Sequence, residues 1–169
     1  MRRTLSALAT AGALVACSRE AAAQKLMLGG SAGLASGVEG GDAGSGTQFR
    51  RARTRLEFTV DGRNDEDKRI GLEARVFAEI EPHASLGGGL RLIYWLSPSF
   101  VAGAGALVDI FPHSLVGADF ALQVRLPIPG QTLRLLIEPS FAVVPLGTDL
   151  PDDRPILWGL LKVGIHADL

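Results

Sequence analysis

Apolar and polar residues alternate along much of this chain. From Arg69 to Glu81, one set of alternate positions is entirely apolar, whereas five of the seven residues in the other set are charged. Residues 51–60 and 116–126 repeat the pattern. A period of two places successive side chains on opposite faces of a β-strand. The pattern therefore predicts strands that have one apolar face and one charged face.

Five further segments fit the pattern of a strand less clearly and bring the number of predicted strands to eight; of these, residues 100–111 are small and apolar on both faces. In chain order, these strands are residues 25–38, 51–60, 69–81, 86–95, 100–111, 116–126, 133–143 and 156–169. Turn-forming residues separate them, and the polar stretches 39–48 and 61–68 are predicted to be loops. No gap is long enough for the crossover helix that parallel strands need. The sequence therefore predicts an all-β, antiparallel, up-and-down sheet in one domain, residues 24–169.

The first 23 residues have the pattern of a secretory signal peptide. A basic start is followed by an apolar run from Leu5 to Ala16 and by small residues that end at Ala23. The apolar run is much shorter than the ~20 residues that a membrane-spanning helix needs, so we expect cleavage after Ala23. One alternative stays open, because residues 14–17 resemble a lipobox, in which Cys17 would be lipidated. Both alternatives take the protein out of the cytoplasm.

Composition narrows the classes of function. The net charge is −1, and removal of residues 1–23, with three arginines and one glutamate, leaves about −3. A nucleic-acid partner needs a basic face, so the net charge argues against this class. Mean hydropathy is positive, at +0.23, although 21% of the residues are charged. Because no stretch of 18 residues after the signal peptide lacks a charge, the apolar residues must be segregated by strand face.

Alternation alone does not say which face points outward. A soluble barrel of the lipocalin or streptavidin type buries its apolar face around a ligand, whereas a membrane barrel inverts this arrangement. Several predicted strands have ten or more residues, which matches the ~9–11 tilted residues that cross a bilayer. Ordinary globular strands have about 5–6 residues. The strand lengths therefore favour a transmembrane barrel.

The charges on the polar face nearly balance. Eight strands enclose a lumen only wide enough for side chains to fill, and an unpaired buried charge costs several kcal/mol. Near balance therefore predicts a salt-bridged interior that is too crowded for a porin. The nine basic residues are Arg51, Arg53, Arg55, Arg69, Arg75, Arg91, Arg125, Arg134 and Lys162, and the eight acidic ones are Glu57, Glu73, Glu79, Glu81, Asp109, Asp119, Glu138 and Asp168.

Aromatic residues lie near the ends of the predicted strands. Rings at the two ends of a membrane barrel form girdles at the lipid headgroups. The sequence predicts one girdle from Phe58, Tyr94, Trp95 and Phe100, and a second from Phe49, Phe111, Phe141 and Trp158.

These features resemble the small outer-membrane barrels of the OmpA transmembrane-domain and OmpX type. The resemblance is architectural and covers residues 24–169. The C-terminal residues 162–169 look like the signal that the barrel-insertion machinery reads, although Leu169 stands where the family usually has Phe or Trp. The resemblance implies an outer-membrane location, a monomer, and membrane lipids and the insertion machinery as partners.

Three histidines are the candidates for catalysis. His83 and Ser85 resemble the His-x-Ser motif of outer-membrane lipid A deacylases, but no acid occupies residues 94–97, where that family has the Glu that orients its histidine. His113 lacks the spacing of the motif. His166 is predicted to be a hydrogen-bonding group inside the barrel. The sequence therefore predicts no catalytic residue.

No metal or cofactor site is predicted either. Asp149, Asp152 and Asp153 could hold a hard cation, but a solvated acidic loop is the favoured interpretation. The glycines at 87–89, 103 and 105 precede no helix and so form no phosphate loop. We expect them to permit strand bending and close packing.

The sequence thus favours an integral outer-membrane β-barrel of eight strands with a structural or interaction role, and not an enzyme. Two alternatives remain. One is a soluble or lipid-anchored periplasmic barrel that binds an apolar ligand, as lipocalins do. The other is an outer-membrane enzyme that modifies lipids.

Overall fold

The computed structural model describes residues 26–42, 47–64, 69–81, 84–148, 150 and 154–169. Side chains of residue 42 and of residues 47–51 are outside this description. The predicted signal peptide and Cys17 also lie outside the described residues.

Eight antiparallel strands form a closed barrel in which each strand pairs with its neighbours in the sequence and β1 pairs with β8. The strands are β1 (Leu26–Asp42), β2 (Thr47–Asn64), β3 (Ile70–Glu81), β4 (Ser85–Ser97), β5 (Phe100–Phe111), β6 (Leu115–Pro127), β7 (Leu133–Gly147) and β8 (Ile156–Asp168). The predicted all-β, up-and-down, antiparallel fold is confirmed. Among the described residues, no helix is long and apolar enough to cross a membrane.

The first two strands are longer than the sequence pattern predicted. β1 and β2 have 17 and 18 residues, and they pair from Leu26 opposite Asn64 to Asp42 opposite Thr47. Residues 39–42, 47–48 and 61–64 were therefore wrongly predicted to be loops. Polar residues in these segments continue the strand because their side chains, such as those of Glu39 and Asp61, are buried inside the barrel.

The charged face points inward and the apolar face points outward. In β3, Glu73 and Arg75 are buried, whereas Leu72 and Val76 are 64% and 59% exposed. The same alternation runs through β6, where Asp119 is buried and its neighbours are exposed. Because a closed barrel has only an inside and an outside, one choice of face applies to every strand.

The predicted aromatic girdles are wrong for both tryptophans. Trp95 and Trp158 are buried inside the barrel, because each lies on the same face of its strand as the charged residues that point inward. The prediction is also wrong for Phe141, which pairs with Phe120 in the middle of β6 and β7, away from the strand ends. Tyr94, Phe100 and Phe111 do lie near strand ends with exposed rings.

Two apolar clusters lie inside the barrel, one near each end. We call the end that carries Leu26 and Leu169 the proximal end, and the opposite end the distal end. The cluster near the proximal end consists of Ile93, Trp95 and Val101. The cluster near the distal end consists of Leu107, Leu115, Ala142, Val144, Ile156 and Trp158.

Glycines allow β4 and β5 to approach each other closely. A Cβ atom on Gly105 would lie 2.0 Å from the backbone oxygen of Leu90, and one on Gly89 would lie 2.5 Å from the backbone oxygen of Ala106. Backbone atoms of paired strands cannot move aside without breaking the ladder. A side chain at either position therefore requires the backbone to shift.

Gly105→Ala should destabilise the barrel by about 1–3 kcal/mol, since overpacking forces backbone shifts. Gly159→Ala is the matched control, because a Cβ atom there meets nothing within 4 Å. Urea unfolding of the two variants in the same detergent measures the difference. Equal unfolding midpoints would show that β4 and β5 do not pack as closely as described.

Candidate functional site

The centre of the lumen is organised around the guanidinium of Arg91, on β4. It donates to Asp119 (Nε to Oδ2, 2.8 Å), to Glu138 (Nη1 to Oε1, 2.6 Å) and to Glu73 (Nη1 to Oε1, 2.9 Å). These three carboxylates come from β6, β7 and β3. Arg91 therefore ties four strands together across the lumen, using the several donors that a planar guanidinium presents.

Lys162 extends this network to the other side of the barrel. Its Nζ lies 2.8 Å from a carboxylate oxygen of Glu57 and 2.8 Å from one of Glu138. Arg55 and Arg75 add ion pairs of 2.9 Å to Glu57 and 2.7 Å to Asp119. All these side chains are buried. The central lumen is thus occupied by paired charges.

A second cluster lies toward the distal end and is acidic. Arg53 pairs with Glu39 and Glu79, and its guanidinium stacks 4.0 Å from the centroid of Trp158. Ser85 Oγ lies 3.1 Å from Glu79 and 3.0 Å from Asp109. In this cluster, three carboxyl groups accompany one guanidinium.

The opening at the proximal end is lined mainly by basic residues, in contrast to the acidic cluster near the distal end. Below the mouth, Asp61 accepts from Arg125 at 3.2 Å and lies 3.0 Å from His166 Nε2. Above them is a cavity of about 530 Å³ whose charged lining residues are Arg63, Arg69, Arg125, Arg134 and Asp168. We call this cavity the vestibule.

The interior charges differ in part from the predicted set. Among the described residues, the buried basic side chains are six, namely Arg53, Arg55, Arg75, Arg91, Arg125 and Lys162, and the buried acidic ones are eight, namely Glu39, Glu57, Asp61, Glu73, Glu79, Asp109, Asp119 and Glu138. Glu39 and Asp61 were missed because they were assigned to loops. Arg69 and Glu81 are exposed at strand ends, and Arg134 and Asp168 form an ion pair at the proximal mouth. The side chain of Arg51 is outside the description.

The residues considered for catalysis do not assemble within the described part of the chain. Ser85 faces Glu79 and Asp109, and His83 lies outside the described residues. His113 is exposed in the connection between β5 and β6. His166 is buried with both ring nitrogens facing carboxylates, those of Asp61 and Asp168. This arrangement fits an interior structural histidine.

Metal binding finds no support in the described residues. No group of three or more His, Cys, Asp or Glu side chains there could hold a metal ion. Asp149, Asp152 and Asp153 lie outside the description.

Comparisons with known proteins add little to this geometry. No protein-family model matches the sequence, and no curated protein matches it. Among solved structures, the chain is similar to the crystal structure of Ail, the attachment invasion locus protein of Yersinia pestis. The two share 11% sequence identity with a TM-score of 0.47, and the match covers 82% of this chain and 97% of that chain. The function of Ail is therefore not transferred to this chain.

Arg91→Leu should destabilise the barrel by about 3–5 kcal/mol, because it leaves three buried carboxylates without their shared cation. Arg69→Leu removes the same charge at an exposed position and should change stability by less than about 0.5 kcal/mol. Urea unfolding followed by circular dichroism compares the two variants. An Arg91→Leu variant as stable as Arg69→Leu would contradict the network described above.

Proposed function

We propose that this chain is an integral outer-membrane β-barrel with a structural or interaction role and a closed, non-porin lumen. The observation that carries the proposal is the apolar outer face. Large apolar side chains are exposed on every strand, for example Leu34, Phe58, Leu72, Leu90, Ile110, Phe120, Phe141 and Val163. The largest apolar patch on a typical soluble monomer covers only about 300–600 Å². A belt of this kind around the whole barrel needs lipid as its solvent.

Strand length and closure support the same proposal. The shortest strands have 12 residues, which exceeds the ~9–11 residues that span a bilayer. Closure pairs the backbone groups of each strand with those of its neighbours, as the hydrocarbon core of a membrane requires. The signal peptide, the lipid partners and the insertion signal in residues 162–169 remain predictions.

The charged interior favours this proposal over a soluble lipocalin-like barrel. A binding site for an apolar ligand needs an apolar cavity, whereas the central lumen holds Arg91, Lys162 and their carboxylate partners. The apolar clusters near the two ends are made of packed side chains. An apolar ligand would have to displace paired charges, which costs several kcal/mol.

A structural or interaction role is favoured over lipid chemistry. In the described part of the chain, the hydroxyl of Ser85 faces the carboxyl groups of Glu79 and Asp109, which cannot activate it as a histidine base would. Distal connections such as 82–84 and 112–114 are also short. They offer little surface for a large receptor platform.

Val76→Arg tests the outward face directly. Val76 lies in the middle of β3, where an arginine would enter the apolar core of the bilayer and cost about 2–4 kcal/mol. Ile70→Arg is the control, because Ile70 is equally exposed but begins the strand, where the cost falls to about 0–1 kcal/mol. Unfolding in phospholipid vesicles measures both variants. Equal losses would argue against a membrane-embedded β3.

Cysteine labelling separates this result from a general loss of folding. In isolated membranes, Val76→Cys should resist a water-soluble maleimide, whereas Thr132→Cys, exposed in the connection between β6 and β7, should react rapidly. Rapid labelling at both positions would favour the soluble alternative.

The closed lumen predicts little steady ion conductance after reconstitution into planar bilayers. The reason is that Arg91 and its partners bridge the centre of the barrel with contacts of 2.6–2.9 Å. Bilayers that received detergent alone are the control. A stable, large open channel would contradict the non-porin part of the proposal.

A further inference from the structure

The vestibule gathers arginines from separate parts of the sequence. Arg63 comes from β2, Arg69 from the residue before β3, Arg125 from β6 and Arg134 from β7. The lining includes one carboxylate, that of Asp168, which pairs with Arg134, and Asp61 pairs with Arg125 from below the cavity. Guanidinium groups that gather around one cavity attract an anion to it.

Protein contacts hold three of these guanidinium groups in place. Arg134 donates to the backbone oxygen of Pro98 and to Asp168, each at 2.8 Å. Arg125 donates to Gln123 at 2.6 Å, and Arg63 stacks 4.9 Å from the ring centroid of Trp95. Side chains that are already ordered lose little conformational entropy when a ligand binds.

Arg69 supplies a fourth group at the rim. Its backbone oxygen accepts from Trp95 N at 2.8 Å, which ties its position to the vestibule wall. Its side chain is exposed. It can therefore turn toward a ligand without breaking a described ion pair.

The arrangement and the size of the vestibule define the ligand. Arginines that approach from several elements suit a tetrahedral oxyanion, whose oxygens accept from many directions, better than a planar carboxylate. About 530 Å³ is much more than a phosphate ion fills and lies within the range of small-molecule sites. Met27, Trp95 and Leu96 add apolar wall. We infer that the vestibule binds an organic phosphate, either a free phosphate ester or the headgroup of an anionic phospholipid.

The geometry also accommodates the lipid source, since Arg63 lines a groove of about 670 Å³ on the outer surface of the barrel. This groove is mainly apolar, with Leu28, Ile70 and Leu72 in its wall. An acyl chain there would place a phosphate near Arg63. Both sources share one recognition chemistry, a phosphate held by arginines.

Residues 65–68, which lie outside the described residues, contain three acids and one lysine between Asn64 and Arg69. These acids can compete with a ligand for the arginines. The full chain must therefore be used in the test, so that this competition is included.

The first arm of the test titrates glycerol 3-phosphate into the full chain, folded in a zwitterionic detergent, and follows binding by calorimetry. This arm does not depend on the membrane proposal. Arg69→Gln and Arg134→Gln should each weaken binding about ten-fold or more, as loss of a hydrogen bond to a charged group does. Arg154→Gln is the matched control, because Arg154 is exposed near the distal end, and it should leave binding unchanged.

The second arm measures the thermal unfolding of the same proteins in phosphatidylcholine nanodiscs with and without phosphatidylglycerol. The ligand is a lipid headgroup if phosphatidylglycerol stabilises the protein, if this stabilisation is lost in Arg69→Gln and Arg134→Gln, and if glycerol 3-phosphate does not bind. Binding of glycerol 3-phosphate with the same variant pattern identifies a free phosphate ester. Absence of both effects, or an equal effect of Arg154→Gln, overturns the inference.

Discussion

The pairing of ionised side chains in a narrow lumen is the interaction on which the rest of this structure depends. Each charge that the strands turn inward needs an opposite charge within reach, because an unpaired one costs several kcal/mol. Arg91 pairs with carboxylates on three other strands. Lys162 pairs with Glu57 on β2 and with Glu138 on β7. The strands are therefore joined through the lumen as well as along their edges.

The charged interior and the apolar exterior follow from one constraint. Successive side chains of a strand alternate between faces, so a strand that turns Glu73 and Arg75 inward must turn Leu72 and Val76 outward. Closure between β1 and β8 removes the free edges and leaves only these two surfaces. In the membrane setting that we propose, lipid solvates the exterior, and ion pairs satisfy the interior.

The interior is asymmetric along the barrel axis. Carboxyl groups outnumber guanidinium groups around Arg53 near the distal end, whereas arginines dominate the vestibule at the proximal end. The apolar cluster around Trp158 and the smaller one around Trp95 lie near these two ends. Among the described residues, the two ends of the barrel therefore differ in charge, with carboxyl groups in excess near the distal end and guanidinium groups gathered at the proximal end.

The sequence by itself determined the eight strands, their antiparallel order and the charged face, because alternation is a local property that neighbouring residues reveal. Trp95 is an even number of residues from Arg91, and Asp61 is an even number from Glu57. The same alternation therefore also assigns Trp95 and Asp61 to the inward face, where both are buried in the structure. Only the tertiary structure decided which charges pair. Lys162 contacts a carboxylate that is 105 residues away in the sequence. The arginines of the vestibule meet only when the barrel closes, because the shear and the strand register set their relative heights along the barrel axis. No local sequence pattern encodes the shear or the register.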